Sequence, residues 1–132
     1  MSVNFDPVIV KCCQDEINHL MANEKNISGV LVCSTDGFEV ASQLKSHQSA
    51  AKLSAMASST LALGHAITVE ILLGACKDVI VDSSDGKVLL MSIERDDSAL
   101  LLLAIADSTE TLGQVLWRVK ACAAAIAAGG KK

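Results

Sequence analysis

The chain has 132 residues, 51% of them hydrophobic, with a net charge of −4 and a pI near 5.2. That length supplies one hydrophobic core and not two, and the acidic balance excludes nucleic acid or an anionic membrane as the main partner. The most apolar run, Ala99 to Ala106, is far shorter than the roughly 20 residues of a membrane span, and Met1 to Pro7 lacks the make-up of a secretory leader. The expected protein is soluble and cytoplasmic, one domain over residues 1–132 with a core at about 6–128 and a short tail.

Asp6 before Pro7 reads as a helix N-cap followed by proline at the first helical position. Ile9, Cys13, Ile17 and Leu20 then recur at helical spacing to about Ala22, and Asn23 to Asn26 end the helix. Gly29 to Cys33 is an apolar, valine-rich run too short for a helix. Ser34-Thr35-Asp36-Gly37 is a tight-turn signal, and Phe38 to Leu44 alternates apolar and polar residues. The three pieces predict a hairpin in which Gly37 takes the positive φ. Asp36 beside that glycine is turn chemistry rather than a cation ligand, since no further carboxylates converge on it.

Ser49 to Leu73 holds no proline and only two full charges, Lys52 and Glu70. Its length and propensity predict a helix of about seven turns. Leu53, Met56, Ala57, Thr60, Leu63, Ile67 and Ile71 form one stripe, the face expected to be buried. The remainder, Ser54, Ser58, Leu61, His65, Thr68 and Leu72, is hardly charged. Such a helix is expected to be covered on both sides, by its own sheet and by a second copy of the chain. Gly64 in mid-helix costs about 1 kcal/mol against alanine, and close approach of another backbone would explain it.

Gly74 reads as the stop of this helix. Ala75 to Asp82 interleaves Lys77, Asp78 and Asp82 with valine and isoleucine, a charge level that suits a sheet edge. Ser83-Ser84-Asp85-Gly86 repeats the hairpin signal before Lys87 to Ile93, and Glu94 to Ser98 is a charged turn. Ala99 to Ala106 is continuously apolar and predicts a central strand covered on both faces. Asp107 and Glu110 resemble a capping box ahead of a last amphipathic helix through Leu112, Val115, Leu116, Val119, Cys122, Ala123 and Ile126. Trp117 lies off that stripe and reads as a packing anchor; an exposed tryptophan would be an interaction hot spot.

The predicted fold class is therefore α+β, in the order α-β-β-α-β-β-β-α. A five-stranded antiparallel sheet carries the long helix on one face and the other two helices on the opposite face, with the first and fifth strands at its centre. The five cysteines show no ligand spacing and read as small buried hydrophobes in a reducing compartment. His19, His47 and His65 share no metal-ligand spacing. Ser58 and His65 lie two turns apart without a glycine elbow. No P-loop is present, because Gly86-Lys87 lacks the upstream glycine and the following hydroxyl residue. No cofactor, metal or catalytic residue is expected, and Arg95 and Arg118 read as surface ion-pairing residues.

Four segments carry a family resemblance: ISGVLVCSTDGFEVAS at 27–42, KLSAMASSTLALGHAI at 52–67, KDVIVDSSDGKVLLMSI at 77–93 and LLLLAIADSTETLGQVLWRVKACAAAI at 100–126. A glycine-led first strand, a DG turn, a small-residue helix and a second DG hairpin together resemble the Roadblock dynein light-chain family, in particular its bacterial and archaeal MglB-like branch. The resemblance implies a homodimer whose third strands pair edge to edge while the long helices pack on each other. Ala57, Gly64, Leu72, Cys76, Val79 and Val81 are the residues expected at that interface. It also implies a small Ras-like GTPase as partner, regulated, activated or only scaffolded, with Lys52, His65 and Glu70 available to contact it. A structural adaptor without GTPase regulation and a small-ligand sensing module are the alternatives. The smooth apolar stripes favour a filled core over a ligand pocket.

Overall fold

The computed structural model describes residues 4–96, 98–107 and 111–129. Its elements are α1 (Pro7–Asn23), β1 (Ile27–Ser34), β2 (Glu39–Gln43), α2 (Ala50–Glu70), β3 (Asp78–Ser83), β4 (Gly86–Glu94), β5 (Ala99–Asp107) and α3 (Leu112–Ala128). The five strands form one antiparallel sheet in the order β2-β1-β5-β4-β3. The two continuously apolar runs, β1 and β5, lie side by side within it, where helices cover both faces.

Alternation along the strands sorts their side chains into two cores. Val30, Val32, Leu89, Met91 and Leu102 face α1 and α3, joining Cys13, Ile17, Val119 and Ile126. Leu31, Cys33, Leu90, Leu101 and Leu103 face α2, joining Ala57 and Leu61. The α1 stripe of Ile9, Cys13, Ile17 and Leu20 is buried as expected, and the Asp6 carboxylate accepts the Val8 N–H at 2.9 Å. Gly37 takes φ +88°, and a Cβ there would lie 3.2 Å from the Ala55 Cα, so the β1–β2 turn rests directly on α2.

The structure corrects several expectations. Strict alternation in β2 fails at Val40, where Val32 pairs with Ala41 but Cys33 with Glu39. This bulge turns both Val40 and Ala41 into the α1 core. The α2 helix faces the sheet with Ser54, Ala57 and Leu61, whereas Met56, Leu63, Ile67 and Ile71 of the expected buried stripe are exposed. Apolar character alone could not tell which side of the helix its own sheet would take.

The α2 helix ends at Glu70, with Ile71 as its cap, and the chain turns out of it at Leu72, before Gly74. Leu73 N–H donates to the Thr68 carbonyl and Leu72 N–H to Val69, with Leu72 itself at φ +63°, the left-handed position that usually holds glycine. The third strand starts at Asp78, leaving Ala75 to Lys77 in the connection. Asp107 is not a helix cap. It closes β5 opposite Gly86 and donates its N–H to the Asn26 carbonyl, so Thr111 takes the cap position; Glu110 lies outside the described residues. Trp117 is 74% exposed and anchors no core.

Burial pushes the Cys33 thiol up to about 11 and the Cys13 and Cys122 thiols up to about 12, because a buried thiolate loses its hydration. The folded chain therefore keeps these protons to higher pH than the unfolded chain. The stability they protect is full below the ordinary thiol value of 9.0 and declines as pH rises toward the folded values. The expected slope approaches about 1.4 kcal/mol per pH unit for each thiol. Urea unfolding across this alkaline range measures it, and an unchanged midpoint would contradict it.

Candidate functional site

The surface that the fold leaves uncovered begins on α2. Met56, Leu63, Ile67 and Ile71 recur at seven, four and four residues and so share one flank of the helix. All four are exposed, followed at the helix end by Leu72, 91% exposed, and Leu73. A bulky side chain at a positive φ is strained backbone, here used to hold a leucine out into solvent. Beside this flank lies β3, where Val79 packs against the α2 core and Val81 is exposed. The result is an apolar helix flank next to an apolar strand.

The two sheet edges differ. Edge β2 is bulged, lies under α1, and its Ser42 carbonyl accepts a hydrogen bond from Gln14 Nε2 at 3.1 Å. These are the devices that keep an edge from pairing. Edge β3 pairs with β4 in unbroken register from Asp78 to Ser83, and among the described residues no strand lies on its outer side.

The residues expected at a seam separate into two groups. Ala57 is fully buried against the chain's own sheet and offers nothing to a second copy. Gly64 serves an internal contact as well, since a Cβ there would lie 3.0 Å from Val79 Cγ2 and 3.2 Å from Cys76 Sγ. The glycine lets α2 settle onto its own third strand. Cys76 is half-buried, its thiol donating to the Asp78 carbonyl at 3.4 Å. Leu72 and Val81 are on the open surface. Sequence reasoning missed Leu63, Ile67 and Ile71 as surface residues, although the lack of charge on α2 signalled that something covers it.

Lys52 and Glu70 both lie exposed on the outer side of α2, five turns and about 27 Å apart. His65 points elsewhere, its Nδ1 accepting the Cys76 N–H at 3.3 Å. The structure does not bring the three together. On the flank of α2 opposite Met56 and Leu63, a cleft of about 530 Å³ opens between Ser58, Ala62 and His65 and the strand ends at Ser92, Glu94 and Leu101. The cleft opens at the surface, and beneath it the core of Leu31, Cys33, Ala57, Leu90 and Leu103 is buried. Ser58 donates to the Thr35 carbonyl, so no serine–histidine pair forms.

Arg118 makes the expected ion pair, 3.1 Å from Glu24. Arg95 departs from its expected surface role. It is buried, and its guanidinium donates to the Ile126 and Gly129 carbonyls at the C-terminus of α3. Among the described residues no group of three or more His, Cys, Asp or Glu is placed to hold a metal ion, and no helix is long and apolar enough to cross a membrane.

The family model of the Roadblock/LC7 domain matches residues 14–105, from within α1 to within β5. The chain belongs to the Roadblock/LC7 family. Its Roadblock/LC7 fold is similar to that of Myxococcus xanthus MglB, with a TM-score of 0.75 at 13% identity over 96% of this chain and 92% of that one. The gliding protein MglB of Thermus thermophilus gives a TM-score of 0.77 at 14% identity, covering 95% and 92%. MglC of Myxococcus xanthus is similar at a TM-score of 0.58 and 15% identity, covering 86% and 95%. No curated protein sequence matches the chain. At these identities the Roadblock/LC7 fold is what the structures share, and MglB proteins among them agree with an MglB-like branch.

Proposed function

We propose that the protein is a non-enzymatic, homodimeric regulator or scaffold of a small Ras-like GTPase. The observation that carries the dimer is the joined apolar surface of Leu63, Ile67, Ile71, Leu72 and Val81 beside the β3 edge, which no strand covers among the described residues. A second copy adding its own β3 in antiparallel register satisfies the edge and brings two α2 flanks together. The opposite edge, β2, is closed against the same event. In this arrangement Val79 and Cys76 support the seam from beneath, and Ala57 and Gly64 set how deeply α2 sits on its sheet.

The GTPase reading rests on family membership together with the MglB and MglC likenesses. Lys52 and Glu70, exposed on the outer side of α2, are the charges a partner would meet on the helix face of the dimer. Arg118, engaged with Glu24, and Arg95, buried at the end of α3, are both committed within the chain. Any stimulation of hydrolysis therefore works by positioning the partner's own groups rather than by lending an arginine. The test is a pull-down with the tagged protein from lysate of its source cells, supplied with GTP or GDP analogues and read by mass spectrometry. The expected result is a Ras-like GTPase retained with one nucleotide and not the other. Retention of other proteins with no GTPase under either condition would leave a structural adaptor.

A further inference from the structure

The cleft on the other flank of α2 lies on the side of the helix away from Met56, Leu63 and Ile67. We infer that it binds a small zwitterion with an apolar body, the chemistry of a free apolar amino acid. The inference goes beyond the GTPase reading and does not depend on it. The volume of about 530 Å³ lies within the roughly 300–1,000 Å³ typical of small-molecule sites. Leu61, Ala62, Ala75, Ala99 and Leu101 supply apolar lining.

The polar groups around the cleft have their remaining roles fixed by bonds already made. Ser58 Oγ gives its proton to the Thr35 carbonyl, and Ser92 Oγ gives its own to the Lys77 carbonyl. Both oxygens are left as acceptors. His65 Nδ1 takes the Cys76 N–H, so the neutral ring presents Nε2–H as a donor. Lys77 and Glu94 are the exposed charges of the lining, and Arg95, which also lines the cleft, is buried and donates to the Ile126 and Gly129 carbonyls. Lys77 lies across from Ser92, whose N–H its carbonyl accepts, and Glu94 lies two residues further along the same face of β4. Diagonal neighbours of this kind are within reach of one ligand, and no ion pair between them occurs among the described contacts.

A carboxylate beside an ammonium matches this set. The carboxylate meets Lys77 and the His65 N–H, the ammonium meets Glu94 and the two serine oxygens, and the side chain lies on the apolar lining. A simple anion would be set against Glu94 and a simple amine against Lys77, which gives the site its discrimination.

The test is isothermal titration calorimetry of the full chain with L-leucine, L-phenylalanine and L-tryptophan. Glycine, 3-phenylpropionate and phenethylamine serve as probes lacking the body, the ammonium and the carboxylate. The expected result is saturable binding of at least one apolar amino acid and none of the three controls. Lys77→Gln and Glu94→Gln, both at exposed positions, should each weaken binding by about fivefold, and Ala62→Phe, which fills the cleft, should abolish it with the circular dichroism unchanged. No saturable heat with any amino acid would overturn the inference, as would equal binding of phenylalanine and 3-phenylpropionate. Undiminished binding to both charge variants would overturn the assigned site.

Discussion

Ile67→Glu is expected to turn the proposed dimer into a monomer while leaving the fold intact. The side chain is 54% exposed in the single chain, so a carboxylate there keeps its water as long as the chain stands alone. In the proposed dimer the same position faces a second α2 flank, where burying an unpaired charge costs several kcal/mol. A penalty of about 3 kcal/mol or more raises the dissociation constant over a hundredfold. Light scattering should report the monomer mass at concentrations where the parent chain is dimeric. Thermal unfolding, extrapolated to low concentration, should be nearly unchanged. A variant that remains dimeric would place the seam elsewhere.

The sequence points to a need for cover on α2 without showing its position. A helix of twenty-odd residues with only two full charges, Lys52 and Glu70, needs cover on two sides in a small domain, and α2 does have two apolar aspects. Ser54, Ala57 and Gly64 let the helix approach β1 and β3 closely, with Leu53 and Leu61 packed into the core beside them, while Met56, Leu63 and Ile67 lie on the outer flank. Hydrophobicity ranks the second set as the buried one; packing distance reverses the order. The β1 and β5 runs, the Asp6 cap and the Gly37 turn were legible because each depends on residues near in sequence. The Val40 bulge and the claim of β5 on Asp107 were not, because each depends on a partner strand.

The second large effect is expected at Arg95, which sequence alone places in a charged surface turn. In the fold it is buried and donates to Ile126 and Gly129, carbonyls that α3 leaves unsatisfied at its end. The β4–β5 connection is thereby tied to the last helix. Arg95→Ala removes a positive charge that complements the helix dipole and strands carbonyls in a buried setting. The expected loss is about 2–4 kcal/mol of unfolding free energy, measured by urea denaturation, with protection of the α3 amides lost first in hydrogen exchange. Arg95→Lys should recover only part of it, since an ammonium keeps the charge but is more strongly hydrated and costs more to bury than a guanidinium. An alanine variant as stable as the parent would show that the end of α3 holds without this tie.

The arrangement of α2 and β3 is tested most simply by the mass of the unmodified protein in solution. Size-exclusion chromatography with multi-angle light scattering, run over a series of micromolar concentrations, should give twice the 13.8 kDa of the single chain. A mass of one chain throughout the series would contradict the proposed dimer and leave the apolar flank of α2 to a different partner.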